Sequence, residues 1–164
     1  MSYVEVTYPK DKKEFYAMLL DQLKLYIGDE SDKIACLSTF SSVLKQAFNE
    51  ANWVGFYLVD GNELVVGPYQ GRPAVRRIGY GQGVCGTAWK ENKAQVVKEV
   101  ACFIGHIACD CNTHSEIVIP LKTSDGDIWG VLDMDSVTPA YFTDDDRLGL
   151  EECISYFFVQ PTFL

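Results

Sequence analysis

Basic residues are scarce in this chain: 14 Lys and Arg stand against 23 Asp and Glu, a net charge of -9 over 164 residues. Phosphate backbones are held by clustered Lys and Arg that displace counterions, and the only local cluster is Arg72, Arg76 and Arg77. No nucleic-acid partner is expected. Long apolar runs are missing as well. The longest, near 34–44 and 154–164, fall short of the ~18–20 residues a membrane helix requires, so no membrane span is expected. The opening MSYVEVTYPKDKKEFY mixes both charge signs and has no apolar stretch behind a basic head, so it reads as neither a secretory nor a transit signal, and the cytoplasm is the expected location. Six cysteines are too few for a small disulfide-stapled scaffold, so in a reducing compartment they imply packing, metal or redox chemistry.

What the chain does contain is ordinary apolar content, 48%, with 13% aromatic residues, which excludes an acidic disordered chain. A chain of this length most often builds one core, so a single domain over 1–164 is expected. From Lys12 to Ile27 the residues Phe15, Leu19, Leu20, Leu23 and Tyr26 recur at helical spacing, and Gly28 stops the run. A second helix follows, with Ser31 as its expected N-cap, Ile34, Leu37, Phe40, Leu44 and Phe48 on its apolar face, and an end near Asn49 to Asn52.

After Asn52 the texture becomes β-rich. NWVGFYLVD and ELVVGPYQ flank Asp60, Gly61 and Asn62 and read as an antiparallel hairpin. A glycine-rich stretch, IGYGQG, leads into a short helix from about Val84 to Glu91 and then a strand. Residues from Ile104 to Ser115 have no period and read as a loop, and EIVIPLKTSDGDIWGVLDMD as a second hairpin turning at Ser124 to Gly126. Thr143 ahead of Asp144 to Asp146 marks the N-cap of a terminal helix reaching about Phe157, with acidic first-turn residues favoured by the helix dipole. Helices at both ends and antiparallel strands between them give an α+β fold, a central sheet flanked by helices.

Two groups of side chains could carry chemistry. The loop segment HIACDCNTH holds His106, Cys109, Cys111 and His114, which could bind zinc, although all four crowd into nine residues and CxC is an unusual spacing; they could equally be unreactive loop residues. A redox reading needs an accessible thiol with a stabilised thiolate and a second thiol that can reach it, and Cys109 with Cys85 meets the part a sequence can show. Cys85 stands where the glycine-rich loop enters a helix, so free backbone N–H groups and the helix dipole are expected to favour its thiolate. Carboxylates form the other group. Glu116 opens one strand, and Asp133 and Asp135, two apart near the end of the next, share a face. Carboxylates crowded this way raise at least one pKa, leaving a proton donor near neutral pH, or bind a cation such as an ammonium; a solvated strand end is the bland alternative.

The segments NWVGFY, GPYQG, GYGQGVCGTAW, GHIACD, SEIVIPL and GVLDMDS occur in this order. Together they resemble the signature segments of the free methionine-R-sulfoxide reductases, a family built on the GAF fold, with the resemblance strongest over 52–146. That resemblance implies a single GAF-like domain reducing free L-methionine R-sulfoxide to methionine, with no bound cofactor and with thioredoxin or another dithiol as external reductant. It assigns the nucleophile to Cys109 and the resolving thiol to Cys85, and it places the active-site carboxylates at Glu116, Asp133 and Asp135 without dividing proton donation and ammonium binding among them. Trp53 matches an aromatic beside the substrate, with Tyr57 and Tyr69 as further candidates for the pocket wall. A homodimer through terminal helices is the expected assembly.

The chain departs from the family in three places. Many relatives carry a cysteine ten residues before that of GVCGTA, where this chain has Val75, while Cys111 and Cys102 are additional. Cys36 and Cys153 fall in apolar helical stretches and read as small core residues. A GAF domain can also be a sensor that binds a small molecule without catalysis. Such a protein would keep its ligand when Cys109 is lost, whereas a reductase would lose turnover.

Overall fold

A computed structural model describes residues 5–105, 107 and 111–158. Among them lie four α-helices, α1 (Lys12–Ile27), α2 (Lys33–Ala47), α3 (Gly83–Glu91) and α4 (Asp144–Phe158). Six strands are present: β1 (Ala51–Asp60), β2 (Glu63–Gln70), β3 (Arg77–Gly79), β4 (Gln95–Val97), β5 (Ser115–Lys122) and β6 (Ile128–Ser136). They make one antiparallel sheet in the order β3-β2-β1-β6-β5-β4. This is the α+β arrangement that the pattern of helices and hairpins predicts. No described helix is long and apolar enough to cross a membrane.

Period-two alternation decides what each face of the sheet carries. From β1, Val54 and Phe56 point to one side with Ile117, Ile119, Leu132 and Met134 of the neighbouring strands; α1, α2 and α4 cover that side and complete the larger core. Trp53 and Tyr57 point to the other side with Val118 and Val131, and there α3 closes a smaller core through Val84, Cys85 and Ala88. The charged residues of β5 and β6 share this second side. A sheet covered by three helices on one face and by one short helix and loops on the other leaves the second face as the place for a site.

Local signals set the helix ends. Asp32, rather than the expected Ser31, caps α2 by accepting from the Ala35 amide at 2.8 Å. A carboxylate one residue nearer the helix out-competes the hydroxyl because it also complements the dipole. The helix stops at Ala47, short of the expected Asn49, because the chain must turn in time to begin β1 at Ala51. The start of α4 is reciprocal: the Asp146 amide donates to Thr143 Oγ1 at 3.4 Å, while Asp146 Oδ2 accepts from the Thr143 amide and hydroxyl, both at 2.8 Å.

Asp146 does more than complement a dipole. It is fully buried, and its other oxygen accepts from Lys12 Nζ at 2.6 Å and from the Tyr16 hydroxyl at 2.7 Å, tying α4 to α1. Burial, followed by the neighbouring Asp146 charge, holds the Tyr16 phenol far above its ordinary range, so it remains a donor. The same ring packs flat on Gly149, where a Cβ would come within 2.3 Å of it. Replacing Tyr16 with Phe removes one donor from a buried carboxylate and should cost about 1–3 kcal/mol in urea unfolding. Lys12→Ala should cost less than that, because the Lys12 side chain is 41% exposed and its charge is screened by solvent.

Candidate active site

The carboxylates come together through strand register. Across β5 and β6, Glu116 lies opposite Asp135 and Val118 opposite Asp133; across β1 and β6, Trp53 lies opposite Asp135 and Gly55 opposite Asp133. Opposed residues of an antiparallel pair point to the same side. Glu116, Asp133 and Asp135 therefore share the face under α3, and each is at most 5% exposed. Helix α3 lowers Cys85 onto them. The Cys85 sulfur and carboxylate oxygens of Glu116 and Asp133 all lie within 4.8 Å of one another.

Crowding acidic groups in a dry space keeps protons on them. Burial, and then the charges of Asp133 and Glu116, push the Cys85 thiol well above its ordinary 9.0. This reverses the expectation that the start of a helix would stabilise the thiolate. The dipole of a nine-residue helix is outweighed by loss of solvent and by two carboxyl neighbours. Burial and the charge of Asp135 hold Glu116 well above 4.5, and burial and the charge of Glu116 hold Asp133 well above 3.8. Carboxylate oxygens of Glu116 and Asp133 lie within 4.8 Å of each other, close enough for a proton held on one to be shared with the other. Asp133 Oδ1 is buried and accepts no hydrogen bond among the described residues.

A small cavity of about 10 Å³ opens over these groups, lined by Ile78, Gly83, Val84, Cys85, Ile107, Thr113, Glu116, Asp133 and Asp135. That is room for roughly one water. Ile107 forms part of its cover by packing on Gly83, which adopts φ +60° and where a Cβ would stand 3.2 Å from the Ile107 side chain. Thr113 is fixed from below by Asn52 Nδ2 at 3.2 Å. Sequence reasoning passed over Ile78, Val84, Ile107 and Thr113, since an apolar or hydroxyl residue in a strand, helix or loop carries no signature of lining a site. Gly83, two residues before Cys85, was the one with a signal: a glycine at a helix start implies a close approach.

The aromatic candidates have a different place. Trp53, Tyr57 and Tyr69 are absent from the cavity lining and form a wall beside it. Trp53 stacks on Tyr69 with centroids 5.2 Å apart and on Tyr57 at 5.8 Å. Hydrogen bonds from Trp53 Nε1 to the Arg72 carbonyl at 3.1 Å and from the Tyr57 hydroxyl to the Val75 carbonyl at 2.8 Å fix the stack. The indole lies over Gly55, where a Cβ would be 2.7 Å from it, and so reaches alongside Asp133. Cys109 and His106 lie outside the described residues. Cys102 and Cys111 are free and exposed, whereas Cys36 and Cys153 are core residues as their helical spacing predicts.

A helix-covered sheet with a polar pocket on its less protected face defines a GAF domain, and the GAF domain family model matches residues 33–156. The chain is 43% identical over 145 residues to the free methionine-R-sulfoxide reductase of Escherichia coli, spanning 88% of this chain and 87% of that one. It is 39% identical to the Saccharomyces cerevisiae protein of the same name, over 82% and 81% of the two chains. Among solved structures, the Neisseria meningitidis free methionine-R-sulfoxide reductase in complex with its substrate superposes with a TM-score of 0.90 at 41% identity, covering 99% of this chain and 96% of that one. The chain belongs to the free methionine-R-sulfoxide reductase family.

The raised carboxyl values set how stability depends on pH. As pH climbs above 3.8 and 4.5, the unfolded chain loses these protons while the folded chain keeps them, so stability falls until the raised folded values are passed. Asp133→Asn removes one such group. At about pH 3 the variant should nearly match the parent in thermal melts, and its melting temperature should rise progressively above the parent's as pH climbs past 3.8.

Proposed function

We propose that this protein reduces free L-methionine R-sulfoxide to methionine, using Cys109 as nucleophile, Cys85 as resolving thiol and Asp133 as proton donor. Family membership supports the substrate and the reaction. Among the described groups, the observation that carries the reading is the buried Asp133 carboxyl, with an unused Oδ1 and a hold on its proton strengthened by burial and by the Glu116 charge, beside a thiol.

The Cys109 thiolate attacks the sulfoxide sulfur, and oxygen departs from that sulfur only if it is protonated, because bare oxide is a very poor leaving group. Asp133 supplies the proton. The hydroxyl then passes from the substrate sulfur to the Cys109 sulfur as the bond between the two sulfurs breaks, so methionine leaves with that electron pair and Cys109 becomes a sulfenic acid. Asp133 is now a carboxylate, hydrogen-bonded to the Cys85 thiol, and it takes that proton as Cys85 sulfur attacks the sulfenic sulfur. Asp133 passes that proton on to the sulfenic oxygen, the S–O bond breaks, water departs and a Cys85–Cys109 disulfide forms. Two electrons have passed from the two thiols to the substrate. An external dithiol of the thioredoxin kind restores the thiols by exchange. Asp135 and Glu116, opposite each other across β5 and β6, hold the substrate ammonium, and the wall formed by Trp53, Tyr57 and Tyr69 borders the methylthio end.

A raised Cys85 value suits this order of events. A resolving thiol that stays protonated cannot compete with Cys109 for the sulfoxide, and it becomes a nucleophile only after Asp133 has lost its proton. The cavity is too small for methionine sulfoxide, so binding must lift the Ile107 cover.

Thiols counted in pre-reduced, reductant-free protein before and after excess substrate test this scheme. The R epimer should remove two thiols and release one methionine per chain, the S epimer none, and Cys109→Ser should abolish the reaction. Binding of the R epimer without loss of thiols in folded, reduced protein would instead indicate a sensor. Asp133→Asn should lower kcat by about 10²–10⁴-fold. In the parent enzyme kcat should fall as pH rises through the raised carboxyl value, because the proton donor is lost there.

A further inference from the structure

The cluster that holds protons has the composition of a metal site. Cys85 contributes a sulfur and Glu116 and Asp133 contribute oxygens, all within 4.8 Å of one another. In a tetrahedral zinc site, bond lengths of ~2.3 Å to sulfur and ~2.0–2.2 Å to oxygen place neighbouring donors ~3.5 Å apart, so a contraction of about 1 Å suffices. Each donor is seated on a rigid element: Cys85 in α3, Glu116 in β5 and Asp133 in β6. An independent feature also points to a ligand. Asp133 is 4% exposed, and its Oδ1 accepts no hydrogen bond among the described residues. A buried carboxylate oxygen without a donor is a costly arrangement that an ion would relieve.

We propose that Cys85, Glu116 and Asp133 form a binding site for one divalent cation of borderline softness, with Zn²⁺ the ion it suits. The sulfur donor disfavours Mg²⁺ and Ca²⁺, which take six or more oxygens, and three protein donors leave a fourth position for water. The adjoining cavity of about 10 Å³ has room for that water. Three ionised donors would carry three negative charges, and the cation offsets two of them. Binding therefore displaces the protons that burial and mutual repulsion keep on these groups in the metal-free protein. The ion and a sulfoxide substrate would need the same atoms, so zinc would hold the protein in an inactive form. This site is separate from the HIACDCNTH cluster considered above as a zinc ligand set.

Metal-free, reduced protein titrated with Zn²⁺ and, as a spectroscopic probe, with Co²⁺ tests the proposal without any turnover, so its failure leaves the reductase reading untouched. One Zn²⁺ per chain is expected, with proton release seen as a buffer-dependent binding enthalpy. Co²⁺ should give a thiolate-to-metal charge-transfer band that Zn²⁺ abolishes. Cys85→Ser should lose that band, and both Cys85→Ser and Asp133→Asn should weaken Zn²⁺ by more than the 10–100-fold that loss of an outer-shell partner costs, roughly. Each variant is first shown by circular dichroism to be folded, and Cys111→Ser, altered in the loop, should bind as the parent does. Absence of stoichiometric binding, or affinity retained in both site variants, overturns the proposal.

Discussion

Burying a thiol and two carboxyl groups within 4.8 Å of one another forces protons to remain on them, and much of the rest of the structure serves that arrangement. Full ionisation would place three negative charges in a space that admits about one water. Proton retention is the cheaper outcome, and it gives the site its chemistry. A carboxyl that is protonated near neutral pH can deliver a proton to an oxygen that must leave, and its carboxylate can then collect one from the neighbouring thiol. The cluster is thus both acid and base within one cycle, with no group needing an unusual position after the chain has folded.

Holding such a cluster together is costly, and the other face of the sheet offsets it. Phe40, Phe56 and Phe158 interlock there at 5–6 Å. The fully buried Asp146, with Lys12, Tyr16 and Thr143 as donors, locks the terminal helix to the first one. The contrast between Asp146 and Asp133 is instructive. Both are buried aspartates, but one has its oxygens filled by partners from two helices, and the other keeps an oxygen in reserve. The first arrangement is structural. The second leaves bonding capacity for a substrate group, or in our proposal for a metal ion.

Much of this was legible in the sequence, for physical reasons that differ by element. α1 and both hairpins carry strong periodicity and clear turn residues, and the strands ELVVGPYQ and NWVGFYLVD fall nearly where the pattern puts them. β3, only three residues long, gave no periodic signal. The pairing of Asp133 and Asp135 on one face follows from period two alone. Their meeting with Glu116 and Cys85 depends on register between β5 and β6 and on the docking of α3, and it was legible only through the family resemblance. The electrostatic sense of Cys85 was misjudged. Its place at a helix start is local information, whereas the carboxylates that overrule it arrive from about 30 and 50 residues away in the chain.

The chemistry turns on a proton retained between Glu116 and Asp133 in the resting protein, and infrared spectroscopy reads it directly. The reduced protein should show a protonated-carboxyl C=O stretch at about pH 7, shifted in D₂O and lost in Asp133→Asn. Two fully ionised carboxylates at that pH, with no such band in folded protein, would contradict the account.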